Sequence, residues 1–177
     1  MSKVLAIDTS TSRSCVAIID GANVLYNGFR DGATAHGSSL PALVQEALAI
    51  SDVDEVVVGM GPGPFTGLRV GIAFAHSFAL AREIPVRGVC SLDAIAAQVT
   101  EDDFIITVDA RRKEVYWARY TKGVRVGEPA VNYPADVTGA TVHADLFPDM
   151  VALVNQPGTI TEPIYLRRPD AVATADR

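Results

Sequence analysis

Asp8 ends a short apolar run, Val4 to Ile7, and is followed at once by Thr9, Ser10, Thr11 and Ser12. A carboxylate among hydroxyls can do one of two things here. It can fold back on neighbouring hydroxyl and N–H groups in an Asx-type turn. Alternatively Asp8, Thr9 and Ser10 can wall a polar cleft that faces a nucleotide. A second candidate is residues 59–71, GMGPGPFTGLRVG. A phosphate-binding Walker loop would need a lysine and a hydroxyl after its last glycine, but Leu68 and Arg69 follow Gly67. The dinucleotide spacing also fails, because Thr66 stands where the third glycine belongs. Pro62 and Pro64 remove two N–H groups that a phosphate cradle would use. The stretch therefore reads as a stiff corner that starts a helix, with Thr66 as a cap.

Other reactive side chains are sparse. His36, His76 and His143 show no paired ligand spacing, so no metal site is expected. Cys15 and Cys90 lie in apolar strand-like contexts and read as buried free thiols, not as nucleophiles. GxSxG is absent and no Ser–His pair is identifiable. Arg111, Arg112 and Lys113 follow Asp109 between two strand-like runs. They read first as a solvated hairpin turn, and also as a patch able to meet RNA phosphate or an acidic partner surface. Tyr116 and Trp117 alternate faces on the next strand, so at least one belongs to the core.

These residues need a scaffold, and the chain can build one. It has 177 residues, 49% hydrophobic and 20% charged, with a net charge of −6. Residues 1–100 carry 6 basic and 9 acidic side chains, and residues 101–177 carry 9 and 12. Neither half is the basic lobe of a protein that holds nucleic acid alone. The start, MSKVLAIDTS, does not read as a signal peptide, and no apolar run approaches the ~18 residues a membrane span needs. A cytoplasmic protein is expected.

The spacing predicts strands over 4–7, 14–19 and 23–30, the last two joined at Asp20-Gly21. A helix follows, with Leu40, Leu43, Val44, Ala47 and Leu48 at helical spacing, Pro41 in its first turn and Ser38 or Ser39 as its cap. Then come a strand at 55–58, a helix from about Thr66 to Ala81, a strand at 85–89 and a helix at 91–99. After the acidic junction 100–103 the pattern restarts with a strand at 104–108 and a hairpin, 114–121 and 124–128, turning at Lys122-Gly123. Beyond Pro129 prolines break the pattern. The expected architecture is α/β in two lobes: residues 1–100, carrying the partner-binding helices, and a smaller lobe, 101–177. This order of elements matches the half-domain of the actin-like ATPase and sugar-kinase fold, with the second lobe shortened.

In the 66–81 helix, Gly67, Gly71, Ala75 and Ala79 form a smooth stripe at intervals of four. Gly71 costs about 1 kcal/mol relative to alanine inside a helix, which implies close approach of another backbone. That backbone is either the protein's own sheet or a second subunit.

IDTSTS at 7–12, GMGPGPFTGLRVGIAFAHSFA at 59–79, VRGVCSLDAIA at 86–96, DARRKEVYWA at 109–118 and PIYLRRP at 163–169 resemble the bacterial TsaB family, also called YeaZ. Pro64 stands where that family commonly has Ser. The resemblance implies a non-catalytic scaffold and activator of TsaD in threonylcarbamoyladenosine modification of tRNA beside the anticodon. The implied partners are TsaD in a heterodimer, TsaE, and a second copy in a homodimer, with tRNA met only through the complex. No cofactor is expected in the isolated chain, and ATP or ADP only in the complex. The interface residues it suggests are Gly67, Leu68, Gly71, Ile72 and Ala75 on one helix, and Leu40, Leu43 and Val44 on the other. Ser91 and Ile95 stand where TsaD has its metal-binding histidine pair, so that site is expected to be lost. The competing readings are an actin-like ATPase or kinase using Asp8, and a peptidase acting on the TsaD partner.

Overall fold

A computed structural model describes residues 2–167. Strands β1 (Lys3–Asp8), β2 (Arg13–Asp20) and β3 (Asn23–Asp31) form the expected antiparallel meander. Helix α1 (His36–Leu48) crosses over to β4 (Glu55–Gly59), which pairs parallel with β1. Helix α2 (Phe65–Arg82) leads to β5 (Val86–Val89), parallel to β4, and the short α3 (Ser91–Ala96) follows. The sheet order is β3-β2-β1-β4-β5. Apolar residues of β1, β2 and β4 alternate in facing direction. Leu5, Ile7, Val16, Ile18, Val56 and Val58 pack against α1 and α2. Val4, Ala6, Ala17, Ile19 and Val57 face the opposite side.

The second half repeats the opening. Strands β6 (Asp103–Asp109), β7 (Val115–Thr121) and β8 (Val124–Asn132) form another antiparallel meander, and β9 (Thr141–His143) pairs parallel with β6, as β4 does with β1. Its order is β8-β7-β6-β9. Where the first lobe crosses over through the 13-residue α1, the second has only a three-residue 3-10 turn, Pro134–Asp136. Pro129 lies within β8, an edge strand, where a missing N–H is tolerated.

Two expectations need correction. Helix α1 starts at His36, after Ala35, so Pro41 lies inside it and neither Ser38 nor Ser39 is the N-cap. Helix α2 starts at Phe65 after Pro64, so Thr66 is its second residue and not its cap. Contacts also cross the expected lobe boundary at residue 100. Helix α4 (Met150–Asn155) packs Met150 and Leu153 onto the far face of the first sheet. The chain then continues along the first lobe: Ile160 N–H donates to the Gly88 carbonyl (3.1 Å) and Ile164 N–H to the Met60 carbonyl (2.8 Å). Among the described residues no helix is long and apolar enough to cross a membrane.

Candidate functional site

Asp8 is fully buried, and both of its carboxylate oxygens are occupied. Oδ1 accepts from the Ser10 N–H (2.8 Å) and the Ser10 hydroxyl (2.7 Å), which is the Asx-type turn. Oδ2 accepts from the Ser91 hydroxyl at the start of α3 (2.6 Å), and Ser91 Oγ in turn accepts from the Gly61 N–H (3.2 Å). Burial raises the Asp8 pKa, and the hydrogen bonds from Ser91 and Ser10 oppose that rise. A side chain at Gly59 would fall on Asp8 Oδ2 and Ser91 Oγ, so that position must be glycine. Thr9 and Ser10 are as buried as Asp8. These three residues therefore form an internal tie between β1, the 59–71 corner and α3, not the wall of an open cleft.

Thr9 explains the glycines of α2. Its hydroxyl donates to the Gly67 carbonyl (2.7 Å) and accepts from the Gly71 N–H (3.1 Å). It thus bridges two groups that belong to one rung of the helix ladder. A Cβ at Gly71 would overlap Thr9 Oγ1, and one at Gly67 would lie 3.1 Å from the His36 ring and the Thr9 carbonyl. The small-residue stripe therefore faces the protein's own sheet. Gly67, Leu68, Gly71 and Ala75 are buried, Ile72 is half-buried against the same core, and Leu40, Leu43 and Val44 of α1 are buried there too. Seven of the eight residues expected at a partner interface are thus buried within this chain. The exposed residues of α2 are Thr66, Arg69, Ala73, His76, Ser77, Leu80, Ala81 and Arg82, beside the half-buried, stacked rings of Phe74 and Phe78.

A Ser–His pair that the sequence did not disclose is present. Ser14 Oγ and His36 Nδ1 lie 2.8 Å apart, although 22 residues separate them. Both are buried, and burial holds the imidazole pKa below its usual value, against the pull of Asp8. The pair joins β2 to the first turn of α1. Cys15 and Cys90 are buried free thiols, as expected, and burial pushes Cys90 up to about 12. Ser91 and Ile95 are both buried on α3, Ile95 within the core.

One open concavity lies between the lobes. It has a volume of about 400 Å³ and brings together three stretches that are remote in sequence: Gly63–Thr66, Ala110–Arg112 and Tyr165–Arg167. Phe65 and Tyr165 pack ring to ring, with centroids 5.0 Å apart. Arg69 lies 4.0 Å over the Phe65 ring and donates from Nε to the Tyr165 hydroxyl (3.0 Å). Arg111, Arg112 and Lys113 are three consecutive residues with positive φ (63°, 55° and 65°). The turn is closed by Glu114 N–H donating to the Arg111 carbonyl and Ala110 N–H to the Glu114 carbonyl. Arg167 pairs with Glu114 and donates to the Ala110 carbonyl (3.0 Å). Arg111 and Arg112 thus line a cleft and are not only a solvated turn. Tyr116 is core, 4% exposed. Arg168 and Pro169 of the PIYLRRP stretch lie outside the described residues.

Two antiparallel meanders, each extended by a parallel strand and meeting at a cleft, define the duplicated actin-like ATPase and sugar-kinase fold, here with a reduced second lobe. A family model described as TsaD, tRNA N6-adenosine threonylcarbamoyltransferase, matches residues 30–164. The chain is 45% identical over 201 aligned positions to an uncharacterized protein of Mycobacterium tuberculosis, covering 97% of this chain and 94% of that one. It is 33% identical over 129 positions to the Escherichia coli tRNA threonylcarbamoyladenosine biosynthesis protein TsaB, covering 68% of this chain and 55% of that protein. The solved structure of YeaZ from Pseudomonas aeruginosa superposes with a TM-score of 0.74 at 26% identity, covering 87% of this chain and 89% of that chain. The chain belongs to the TsaB (YeaZ) family.

Proposed function

We propose that this chain is a cytoplasmic, non-catalytic subunit that serves tRNA threonylcarbamoyladenosine synthesis by binding and activating TsaD. The observation that carries this reading is the sealed tie around Asp8. The carboxylate that an actin-like kinase would turn toward its nucleotide is buried here and held by Ser10 and Ser91. The buried Ser14–His36 pair likewise offers no accessible nucleophile to a peptidase. The corner 59–71 thus serves to fix helix α2 against the sheet. The rigid helix then presents Ala73, Ser77 and Leu80 outward, flanked by Phe74 and Phe78. Activation is differential binding: the partner's active conformation gains population because it fits this surface better than the inactive one does.

The test is sizing chromatography with light scattering on this chain alone, then mixed with TsaD from the same source, with and without TsaE and nucleotide. A stable one-to-one species is expected, with TsaD intact by mass spectrometry. No complex under any of these conditions overturns the reading, and cleavage of TsaD replaces it with the peptidase one.

A further inference from the structure

A second open groove lies between α3, α4 and the β7–β8 hairpin, with a volume of about 780 Å³. The scaffold reading gives it no duty, yet a cluster of charged side chains lines it. We propose that this groove binds a small zwitterion of the amino-acid class, free or as a short peptide, with its carboxylate on Arg125 and its ammonium group on Asp93 and Glu128. The inference needs no partner protein, so it stands or falls apart from the scaffold reading.

The first two charges are held in place from below. Tyr120, itself buried, donates from its hydroxyl to Asp93 Oδ1 (2.8 Å). Arg125 approaches the same oxygen with Nε (3.4 Å) and donates from Nη1 to Cys90 Sγ (3.6 Å). Both side-chain contacts of Asp93 thus fall on Oδ1. Among the described residues neither Asp93 Oδ2 nor Arg125 Nη2 makes a hydrogen bond. One carboxylate oxygen and one guanidinium nitrogen are therefore left over, on two touching residues that both line the groove.

The third charge is delivered by a break in the ladder. Arg119 pairs with Val126 and Trp117 with Ala130, so Ala118 alone stands against Gly127, Glu128 and Pro129. Gly127 takes a φ of 79°, Pro129 is buried, and the exposed Glu128 lies in the groove's lining. Bulges re-aim side chains in this way beside functional sites. A purely structural tie between Arg125 and Asp93 would need neither the open groove nor the displaced Glu128.

The ligand chemistry follows from these groups. Two carboxylates and one guanidinium are matched by a ligand with one anionic and one cationic group. The guanidinium makes its strong, charge-assisted bond to a carboxylate, whereas a phosphate dianion would also meet Asp93 and Glu128 and be repelled. The volume falls within the roughly 300–1,000 Å³ of small-molecule sites. Ala97, Ala152 and Pro157 give it small apolar walls, and a Cβ added at Gly123 or Gly127 would meet nothing within 4 Å. An aliphatic side chain therefore has both room and an apolar surface to cover.

Amide NMR spectra of the isotope-labelled full chain test this by titration with five probes: L-valine, L-valinamide, isovalerate, the dipeptide valyl-valine and inorganic phosphate. Saturable shifts are expected with L-valine or the dipeptide, at the amides of Ala97, Gly123, Arg125 and Gly127. L-Valinamide lacks the carboxylate and isovalerate lacks the ammonium group, so each should bind at least tenfold more weakly than L-valine or the dipeptide, whichever binds tighter. Phosphate should produce no saturable shift there. Glu128→Gln and, separately, Arg125→Gln should weaken binding tenfold or more, and Arg30→Gln, on β3, should leave it unchanged. Circular dichroism melts identify a variant that fails to fold. Arg125→Gln leaves Asp93 without its cation, so the exposed Glu128→Gln serves if that variant is lost. Tighter binding of the dipeptide would mark the ligand as a short peptide, and tighter binding of L-valine as a free amino acid. Both support the site. It is overturned if neither L-valine nor the dipeptide gives saturable shifts at millimolar concentration, if isovalerate or L-valinamide binds as tightly as the better of the two, or if the folded groove variants bind as the parent does.

Discussion

Thr9 places its hydroxyl where α2 would otherwise close on itself, and this explains why two glycines stand four residues apart. Gly71→Ala puts a methyl group onto that hydroxyl. The change improves intrinsic helix propensity by about 1 kcal/mol, but the overlap with a fully packed, hydrogen-bonded group should outweigh it. A net loss of roughly 1–3 kcal/mol is expected from overpacking, read from the urea midpoint. A gain in stability would show that Thr9 can move aside without loss. His36 supplies a pH prediction. Its pKa is held below the ordinary value, so the unfolded chain binds the proton more readily. The stabilising contribution is therefore complete above the unfolded value of about 6.5 and is lost as pH falls below it. Asp8, with a raised pKa, works in the opposite sense at the acidic end. The comparison that isolates His36 is urea midpoint against pH for the parent and for His36→Gln. The parent should lose its excess stability progressively as pH falls below about 6.5, and parallel curves would refute the assignment. At this scale the residue types were legible in the sequence but their partners were not. Asp8 meets Ser91 across 83 residues, and Thr9 meets Gly71 across 62. No local pattern encodes contacts that distant. A pair of glycines can report only that something approaches closely, not what.

The elements were recovered where periodicity is strong and lost where it is not. Both meanders, β4, β5 and α2 follow from apolar runs bounded by turn residues. Helix α1 begins four residues earlier than Leu40 because His36 and Ser39 are polar yet buried, so they break the apolar count without breaking the helix. Pro41 is tolerated because it lies on the exposed side, together with Gly37 and Ser38, where water can take the carbonyl it leaves unpaired. Helix α4 was missed because six residues between Pro148 and Pro157 give less than two helical turns of pattern. Its capping signal was readable in hindsight: Asp149 accepts from the Ala152 N–H (2.8 Å). This short helix matters more than its length suggests. Leu153 is fully buried against Val4, Ala6, Ala17 and Val57 of the first sheet. Leu153→Ala should cost about 2–5 kcal/mol, as for other buried leucines. The loss should appear in one cooperative urea transition that includes the first lobe. Two separate transitions, with only the second moved, would support the boundary at residue 100.

At the scale of the whole molecule, one helix has two faces with separate duties. The inward face of α2, with Gly67, Gly71, Ala75 and Ala79, fastens the corner to the sheet. On the outward face Leu80 stands 81% exposed. If the outward face is the docking surface, folding and assembly can be broken independently. Leu80→Glu removes an apolar anchor and adds a charge that docking would have to desolvate, which an interface core does not accommodate. In the free chain the same change lies at a solvent-exposed site away from any special contact, where substitutions stay within about 0.5 kcal/mol. The expected outcome is an unchanged urea midpoint together with loss of the one-to-one species with TsaD, at least tenfold in dissociation constant by calorimetry. Gly71→Ala should behave the other way, losing stability while any protein that remains folded still pairs. If Leu80→Glu pairs normally, docking uses another surface and α2 is only an internal strut. If instead it unfolds the chain, Leu80 packs in solution against something within this protein, and the division of the helix into two faces is wrong.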